Sequence, residues 1–501
     1  MLPKLRSLES FLPPINRLPA DIFTIIPYYF TKDSGHYDAF PMNKPLITMT
    51  HVCQLWRNLL LSTPGLWTRI DFSTSKSKQA EGFLGRSRGG LLDIHQFFES
   101  EEHVEPFLST TLHNTYRLQR LEINSFLLHL DRVLIRFTRP ALELKHLDIG
   151  NEPGITDKDM RLPSTIFNGQ LPKLTSLTLY RLHTDLRGFN FPSLTRFDFT
   201  TGTMTSIGNL TSFFERCPSL EFIQICLSYM PQSPVPPPRR RARLDTLKEL
   251  RFDETACTSG LLDHLALPKC TEVSLKGQFT GEEFDNYGIP TARIHPSSVD
   301  HLPVTRGITK AVAMPSACVL SGPNGNLRFR YLDESHRELG VQFFTSFSPI
   351  SVLEIRGLWV GWSATFSTTY HGPWKQTATG VREVFRLLRK VEDLSIFNCE
   401  MEPFFSTLGT AAGDHTLIPG LRRLRIFVGC ADLDILALVQ CARAREELSR
   451  PLEEVTVVFE KEPGADLVEE MESLRGVVGE LTYRVGKTPD LVWEGEGREP
   501  W

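Results

Sequence analysis

A six-residue phrase, apolar-x-x-apolar-x-apolar, recurs along this 501-residue chain and limits what it can fold into. It reads Leu118-Gln119-Arg120-Leu121-Glu122-Ile123 and starts again at Leu144, Leu174, Leu194, Leu220, Leu247, Cys270, Ile350, Val391, Leu421 and Leu452, eleven times in all. Successive starts lie 26, 30, 20, 26, 27 and 23 residues apart up to Cys270, then 80, then 41, 30 and 31. The phrase is defined by its first, fourth and sixth positions, so the fifth is an independent observation. It holds Glu122, Asp148, Thr178, Asp198, Gln224, Arg251, Ser274, Glu354, Ser395, Arg425 and Thr456, every one polar. A polar residue between two apolar ones marks a strand with one buried and one solvated face.

Helical patterns occupy the intervals, at Val104 to Leu108 running toward Leu112, Leu210 to Phe214, Val384 to Leu388 and Leu433 to Val439. One strand plus one helix or irregular return per unit resembles the leucine-rich repeats. The resemblance implies an α/β solenoid over residues 118–485, a horseshoe with a parallel sheet on its concave face. Only Val391 to Cys399 carries the ninth-position cysteine of the extended consensus, so the expected solenoid is irregular. The alternative is a two-layer α/β sheet without solenoid curvature.

Three regions depart from the phrase. Pro231 to Pro238 with Arg239, Arg240, Arg241 and Arg243 reads as a proline-stiffened loop with a basic tip, either a solvated surface loop or a nuclear-localisation or phosphate-contacting patch. Residues 277–349 contain Ala317 to Leu320 and Leu327 to Tyr331 around Ser321-Gly322-Pro323-Asn324-Gly325, which predicts a hairpin or edge element, or two degenerate repeats. Ala465 to Glu480 has a helical pattern and leads into a final strand at Leu481 to Val485, an end unit of the kind repeat arrays need. The tail 486–501 is expected to be partly ordered.

Before the repeats, Leu18-Pro19-Ala20-Asp21-Ile22-Phe23 opens a short helix with Pro19 in its first turn and Ile22, Phe23 and Ile26 on one face. Val52, Leu55, Trp56, Leu59 and Leu60 paint a second apolar stripe, ended by Pro64 and Gly65 ahead of Trp67. Two such helices bury too little surface to stand alone. The Leu-Pro-x-Asp opening, Val52-Cys53-Gln54-Leu55-Trp56-Arg57 and Pro64-Gly65-Leu66-Trp67, in that order, resemble an F-box over residues 11–72. The polar, turn-rich stretch Tyr28 to Pro45 is longer than the usual connection and is expected to loop out. Residues 73–117 read as a connecting or first helical repeat segment. F-box starts joined to irregular leucine-rich arrays are similar to the divergent F-box families of filamentous fungi and plants.

The resemblance implies a Skp-type adaptor of a cullin-RING ubiquitin ligase as partner. Leu18, Pro19, Ile22, Phe23, Ile26, Val52, Cys53 and Trp56 would dock it, and the repeat surface would hold an unidentified protein substrate. In that reading the chain is a non-catalytic receptor of an SCF-type ligase. The other reading is a leucine-rich-repeat interaction scaffold without ligase association, its N-terminal helices a structural cap. In both, Glu122, Asp148, Asp198, Arg251, Glu354, Arg356 and Arg425 lie on the candidate substrate face.

A net charge of −4 gives no global argument for nucleic acid or membrane as partner. Nine scattered cysteines without a Cys-x-x-Cys pair suit reduced thiols in cytosol or nucleus. Neither a signal-peptide pattern nor an apolar run of membrane-spanning length is present. Phosphate-loop, dinucleotide, metalloprotease, hydrolase-elbow and zinc spacings are likewise missing, so no cofactor, metal or catalytic residue is expected.

Overall fold

The repeat strands are entered through a recurring turn. Apolar-Pro-x-apolar stands at Leu171 to Leu174, Phe191 to Leu194, Cys217 to Leu220, Leu267 to Cys270 and Ile418 to Leu421, and in each the last N–H donates to the first carbonyl at 3.1–3.3 Å. Proline suits the second place of such a turn, where its fixed φ is the required one and no N–H is needed. The last turn residue is the first residue of the phrase. The turn therefore delivers each strand with its fourth and sixth side chains inward, and every described side chain at positions one, four and six of the eleven phrases is at most 3% exposed.

The computed structural model describes residues 18–19, 22, 25–26, 44–73, 77–126, 130–151, 162–182, 186–201, 206–227, 241–253, 258–277, 301–313, 317–331, 350–356, 382, 385–386, 389–397, 401–409, 411–412, 415–428 and 433–486. The architecture is mixed α/β, built on mostly parallel strands, and the chain divides into two units between Leu220 and Glu221. Among the described residues no helix is long and apolar enough to cross a membrane.

In the first unit β1 (Arg69–Asp71), β2 (Leu92–Phe98), β3 (Leu118–Ser125), β4 (His146–Asn151), β5 (Ser176–Tyr180) and β6 (Arg196–Thr201) pair in chain order, all parallel. The register aligns the phrases position for position, so Leu121, Leu147, Leu177 and Phe197 are successive neighbours. β1 and β2 belong to the same series. Trp67-Thr68-Arg69-Ile70-Asp71-Phe72 is itself the phrase, and Leu91 to Gln96 is the phrase with a polar sixth residue, since Ile70 lies beside Ile94 and Ile94 beside Leu121. The sheet thus starts inside the segment read as the helical module, and residues 73–117 contribute a full strand.

Phenylalanines and arginines tie these units together on the core side. Phe72, Phe98 and Phe137 all meet Phe107, from the helix Val104–Thr111, at ring distances of 5.3, 5.3 and 6.3 Å, and Phe137 meets Phe167 at 5.3 Å. Arg117 reaches back to Gly90 O (2.8 Å) and Ser87 Oγ (2.7 Å), and Arg216 to Phe189 O (3.0 Å) and Leu186 O (2.8 Å). Each guanidinium thereby satisfies carbonyls or hydroxyls of the preceding turn that strand pairing leaves over.

Of the N-terminal helices, the last is tied to the entry of this sheet. Ile22, Ile25 and Ile26 are helical, and two further helices span Lys44–Thr50 and Gln54–Leu61. The first of these two replaces part of the expected loop: Pro45 stands in a first helical turn, where proline is tolerated. Residues 28–43 of that stretch lie outside the described residues. After Ser62 the chain forms a single turn, Pro64–Trp67. Trp67 donates from Nε1 to Leu60 O at 2.8 Å, packs edge-on against Phe83 at 4.8 Å and lies under the Arg86 guanidinium at 4.9 Å.

The second unit holds β7 (Phe222–Leu227), β8 (Ala242–Arg243), β9 (Glu249–Asp253), β10 (Leu265–Ala266), β11 (Glu272–Gly277), β12 (Lys310–Ala313), β13 (Ala317–Gly322), β14 (Gly325–Tyr331), β15 (Val352–Arg356), β16 (Asp393–Phe397), β17 (Ala411–Ala412), β18 (His415–Thr416), β19 (Arg423–Val428), β20 (Glu454–Phe459) and β21 (Glu480–Val485). Its main sheet runs β7-β9-β11-β14-β13-β12-β15-β16-β19-β20-β21. All neighbours are parallel except β13, which is antiparallel to both of its own. The hairpin expected near residue 320 is therefore not at an edge. β12 and β14 occupy repeat registers beside β15 and β11, and β13 fills the place between them.

At the end of the chain the helix stops at Glu472, earlier than Glu480, because Gly476 and Gly479 interrupt it. Val478 then becomes the first residue of another phrase, leading into β21. The Pro231 to Arg240 part of the basic loop lies outside the described residues; Arg243 pairs with Asp245 at 2.6 Å. Six described cysteines are free thiols. Burial pushes Cys217 up to about 11 and Cys270 and Cys441 up to about 12, as suits small hydrophobes.

Candidate functional site

Two surfaces carry the residues singled out by the sequence. In the N-terminal segment, Leu18, Ile22, Val52 and Leu55 are exposed, with Val52 at 56% and Ile22 at 45%, and so is Ile25. Pro19 is also exposed, while Ile26, Cys53 and Trp56 are half-buried. Of the second helix's stripe only Leu60 is fully buried, under Trp67. The stripe thus splits: Leu60 anchors the helix to the sheet, and Val52 and Leu55 face outward. Phe23 lies outside the described residues.

The second surface is the open face of the sheet, lined by the third, fifth and seventh phrase positions. In the first unit the fifth-position row reads Asp71, His95, Glu122, Asp148, Thr178, Asp198 across β1 to β6. Glu122 and Asp148 are direct neighbours; Asp198 is one strand beyond Thr178 and lies 3.9 Å from Arg196. In the second unit Arg251 is half-buried between Glu249 (2.5 Å) and the Phe222 ring (5.4 Å), and Arg425 is exposed. Glu354, Ser395 and Arg425 share a row. For Glu354 and Arg356 only the backbone, in β15, is described.

Charge on this face alternates by position. In the first unit the fifth-position row is mainly acidic beside a third-position row that carries Arg69, Arg120 and Arg196; in the second the fifth-position row carries Arg251, Arg328 and Arg425 with Glu354. Acids two residues earlier or on the next strand neutralise three arginines of this face: Arg251 by Glu249, Arg328 by Glu272 at 3.4 Å and Arg423 by a bidentate pair with Asp393. Among the described residues of the face the charges alternate in sign, which weighs against a phosphate backbone as ligand there. Toward the ends of β16, β19 and β20 the face becomes apolar, with Phe397 stacked on Phe427 at 4.0 Å and Val458 alongside, all buried.

The most organised polar group joins Glu122, one of the predicted face residues, to two that the sequence did not single out, Asp71 and His95. His95 donates from Nδ1 to Asp71 Oδ1 and from Nε2 to Glu122 Oε1, both at 3.3 Å. Ser73 N–H reinforces Asp71 at 2.9 Å, and Asn124 Nδ2 reaches Glu122 at 3.3 Å. Burial works to strip the imidazole of its proton, but the hydrogen bonds to Asp71 and Glu122 overcome it and push the pKa up to about 10. With both nitrogens donating, this ring is an imidazolium; it has no lone pair for general-base work or metal ligation. Two residues earlier Arg69, Asp93 and Arg120 alternate in the opposite sense, and burial raises the Asp93 carboxyl against the pull of Arg120, Arg69 and His146. Among the described residues no cluster of His, Cys, Asp and Glu could hold a metal.

Two departures hid the site. Gln96 at the sixth position, together with a register shift that puts Leu92 rather than Leu91 beside Leu118, takes β2 out of the phrase, and Asp71 lies in the segment read as helical. A phrase start at Trp67 points to Asp71, and its register to His95. No family model matches the chain, and no curated protein matches it.

Proposed function

We propose that this protein is a non-catalytic substrate receptor of an SCF-type cullin-RING ligase, joining an F-box-like helical module to an irregular leucine-rich-repeat solenoid. The helices would dock a Skp-type adaptor, and the open sheet face would hold a protein substrate for ubiquitin transfer. The observation that carries the reading is the exposure of the apolar residues Leu18, Ile22, Ile25, Val52 and Leu55, the last of them on the helix Gln54–Leu61, whose inner side is already anchored through Leu60 and Trp67. Apolar side chains exposed together on one small module mark an interaction surface. The strands in phrase register and their shared turns support the repeat reading. Receptor action of this kind works by effective concentration, holding substrate lysines near a charged ubiquitin carrier.

The test is co-purification of a Skp-type adaptor with the full chain and with a Val52→Asp, Leu55→Asp form. Both positions are exposed, so the variant keeps its fold. Loss of adaptor from the variant alone is the expected result. Adaptor retained by neither form would favour the second reading, a repeat scaffold with a helical cap. That reading has its own support in Trp67, which serves the first sheet repeat and the helix at once.

A further inference from the structure

We propose that the Asp71–His95–Glu122 clamp is a conformational lock that fixes the helix Gln54–Leu61 to the first unit's sheet. The chain path makes the case. Helix Gln54–Leu61 is anchored by Trp67, Trp67 runs directly into β1, and β1 has only three residues with which to hold the sheet. So short a strand gains little from its ladder alone. The clamp adds two charge-assisted hydrogen bonds that reach from β1 through β2 to β3. All three side chains lie on the face of the sheet opposite Ile70, Ile94 and Leu121, so the lock adds to what the apolar core holds.

The charges facing His95 come from every neighbouring strand: Asp71 and Arg69 on β1, Asp93 on its own strand, Glu122 and Arg120 on β3 and, one strand further, Asp148 and His146 on β4. Asp71 and Glu122 are both under a tenth exposed. Remove the positive ring and the two buried carboxylates keep their other hydrogen bonds, such as those from Ser73 and Asn124, but lose the cation between them, which weakens the hold on the three-residue edge strand first.

Hydrogen exchange on the full chain tests this with no adaptor present, so its outcome is separate from the ligase reading. In a His95→Gln variant, protection within residues 44–71 is expected to fall about tenfold or more, while peptides covering β5 and β6 keep theirs. A companion Asp71→Asn, His95→Gln, Glu122→Gln variant, which removes the repulsion and keeps polar partners, is expected to recover most of that protection. Unchanged exchange over residues 44–71 in His95→Gln would overturn the lock. So would a uniform loss across the unit, because His95 would then contribute only global stability, and so would failure of the triple variant to recover.

Discussion

At the residue scale the sheet relies on a few buried charges whose surroundings differ. Arg117, at the entry to β3, and Arg445, in the helix Ile435–Glu447, each reach back to the turn before an earlier strand, yet Arg117 satisfies Nε and Nη2 with separate partners. Arg445, fully buried, sends Nη2 alone to Ile418 O (3.2 Å) and Leu421 O (3.1 Å) and leaves Nε and Nη1 without an acceptor. Burial lowers its pKa. Arg117→Met is therefore expected to cost about 1.5–3 kcal/mol, two charge-assisted bonds lost. Arg445→Met is expected to fall within about 1 kcal/mol of the parent or above it, since an apolar side chain of similar length removes an unpaired buried charge. Urea unfolding of the two variants decides the contrast, and equal losses would refute it. His95 sets a pH window: its folded pKa, about 10, lies above the unfolded value near 6.5, so its stabilisation is complete below about 6.5 and disappears as pH rises through 10. Thermal midpoints of the parent should fall over that interval, and those of His95→Gln should lack this component.

At the element scale, strands were legible because their signal is redundant. Three apolar positions and a polar fifth repeat in each unit, and all eleven phrases are strands in register. What escaped was structure whose phrase was damaged or claimed by another pattern: β2 through Gln96 and β1 through Trp67. Register, decided by backbone pairing, restores both, while β14, with Asn324 where the apolar first residue belongs, was still legible as the second strand of a hairpin. The helices were less legible, since Pro45 reads equally as a turn or a first helical turn, and the Ala465 helix loses its last turns to glycine. The β13–β14 hairpin depends on Gly325, whose φ is +124° and where a Cβ would stand 2.0 Å from Thr271 O. Gly325→Ala is expected to destabilise the second unit by more than about 1 kcal/mol through strain and clash. The turns behave differently. Pro192→Ala should cost only about 0.4–1 kcal/mol, mostly through the unfolded chain, whereas Phe191→Ala beside it empties a buried ring's volume and should cost about 3–5 kcal/mol. Denaturant midpoints for the pair separate turn chemistry from packing.

At the scale of the molecule, repeat arrays draw stability from neighbour on neighbour, so an end unit matters through the interface it covers. Here the end is shared. Trp67 closes the helical module and opens the sheet; removing residues 1–75, the natural boundary by sequence, takes away Trp67, β1 and Asp71 together. Phe83 and Phe107 lose ring partners, Ile94 loses its neighbour, and His95 keeps one carboxylate of two. The truncated chain is expected to show raised hydrogen exchange across β2 and β3, fading toward β6, with the second unit unaffected, as nearest-neighbour coupling requires. A chain lacking only residues 1–43 retains both anchored helices and should exchange like the parent. If the 1–75 deletion left β2 and β3 as protected as before, the helices would be a detachable module and adaptor binding could be assigned by deletion. If exchange rises as expected, loss of adaptor in that deletion would report a disturbed sheet as much as a missing docking face, and the outward pair Val52 and Leu55 becomes the place where docking and folding can be separated.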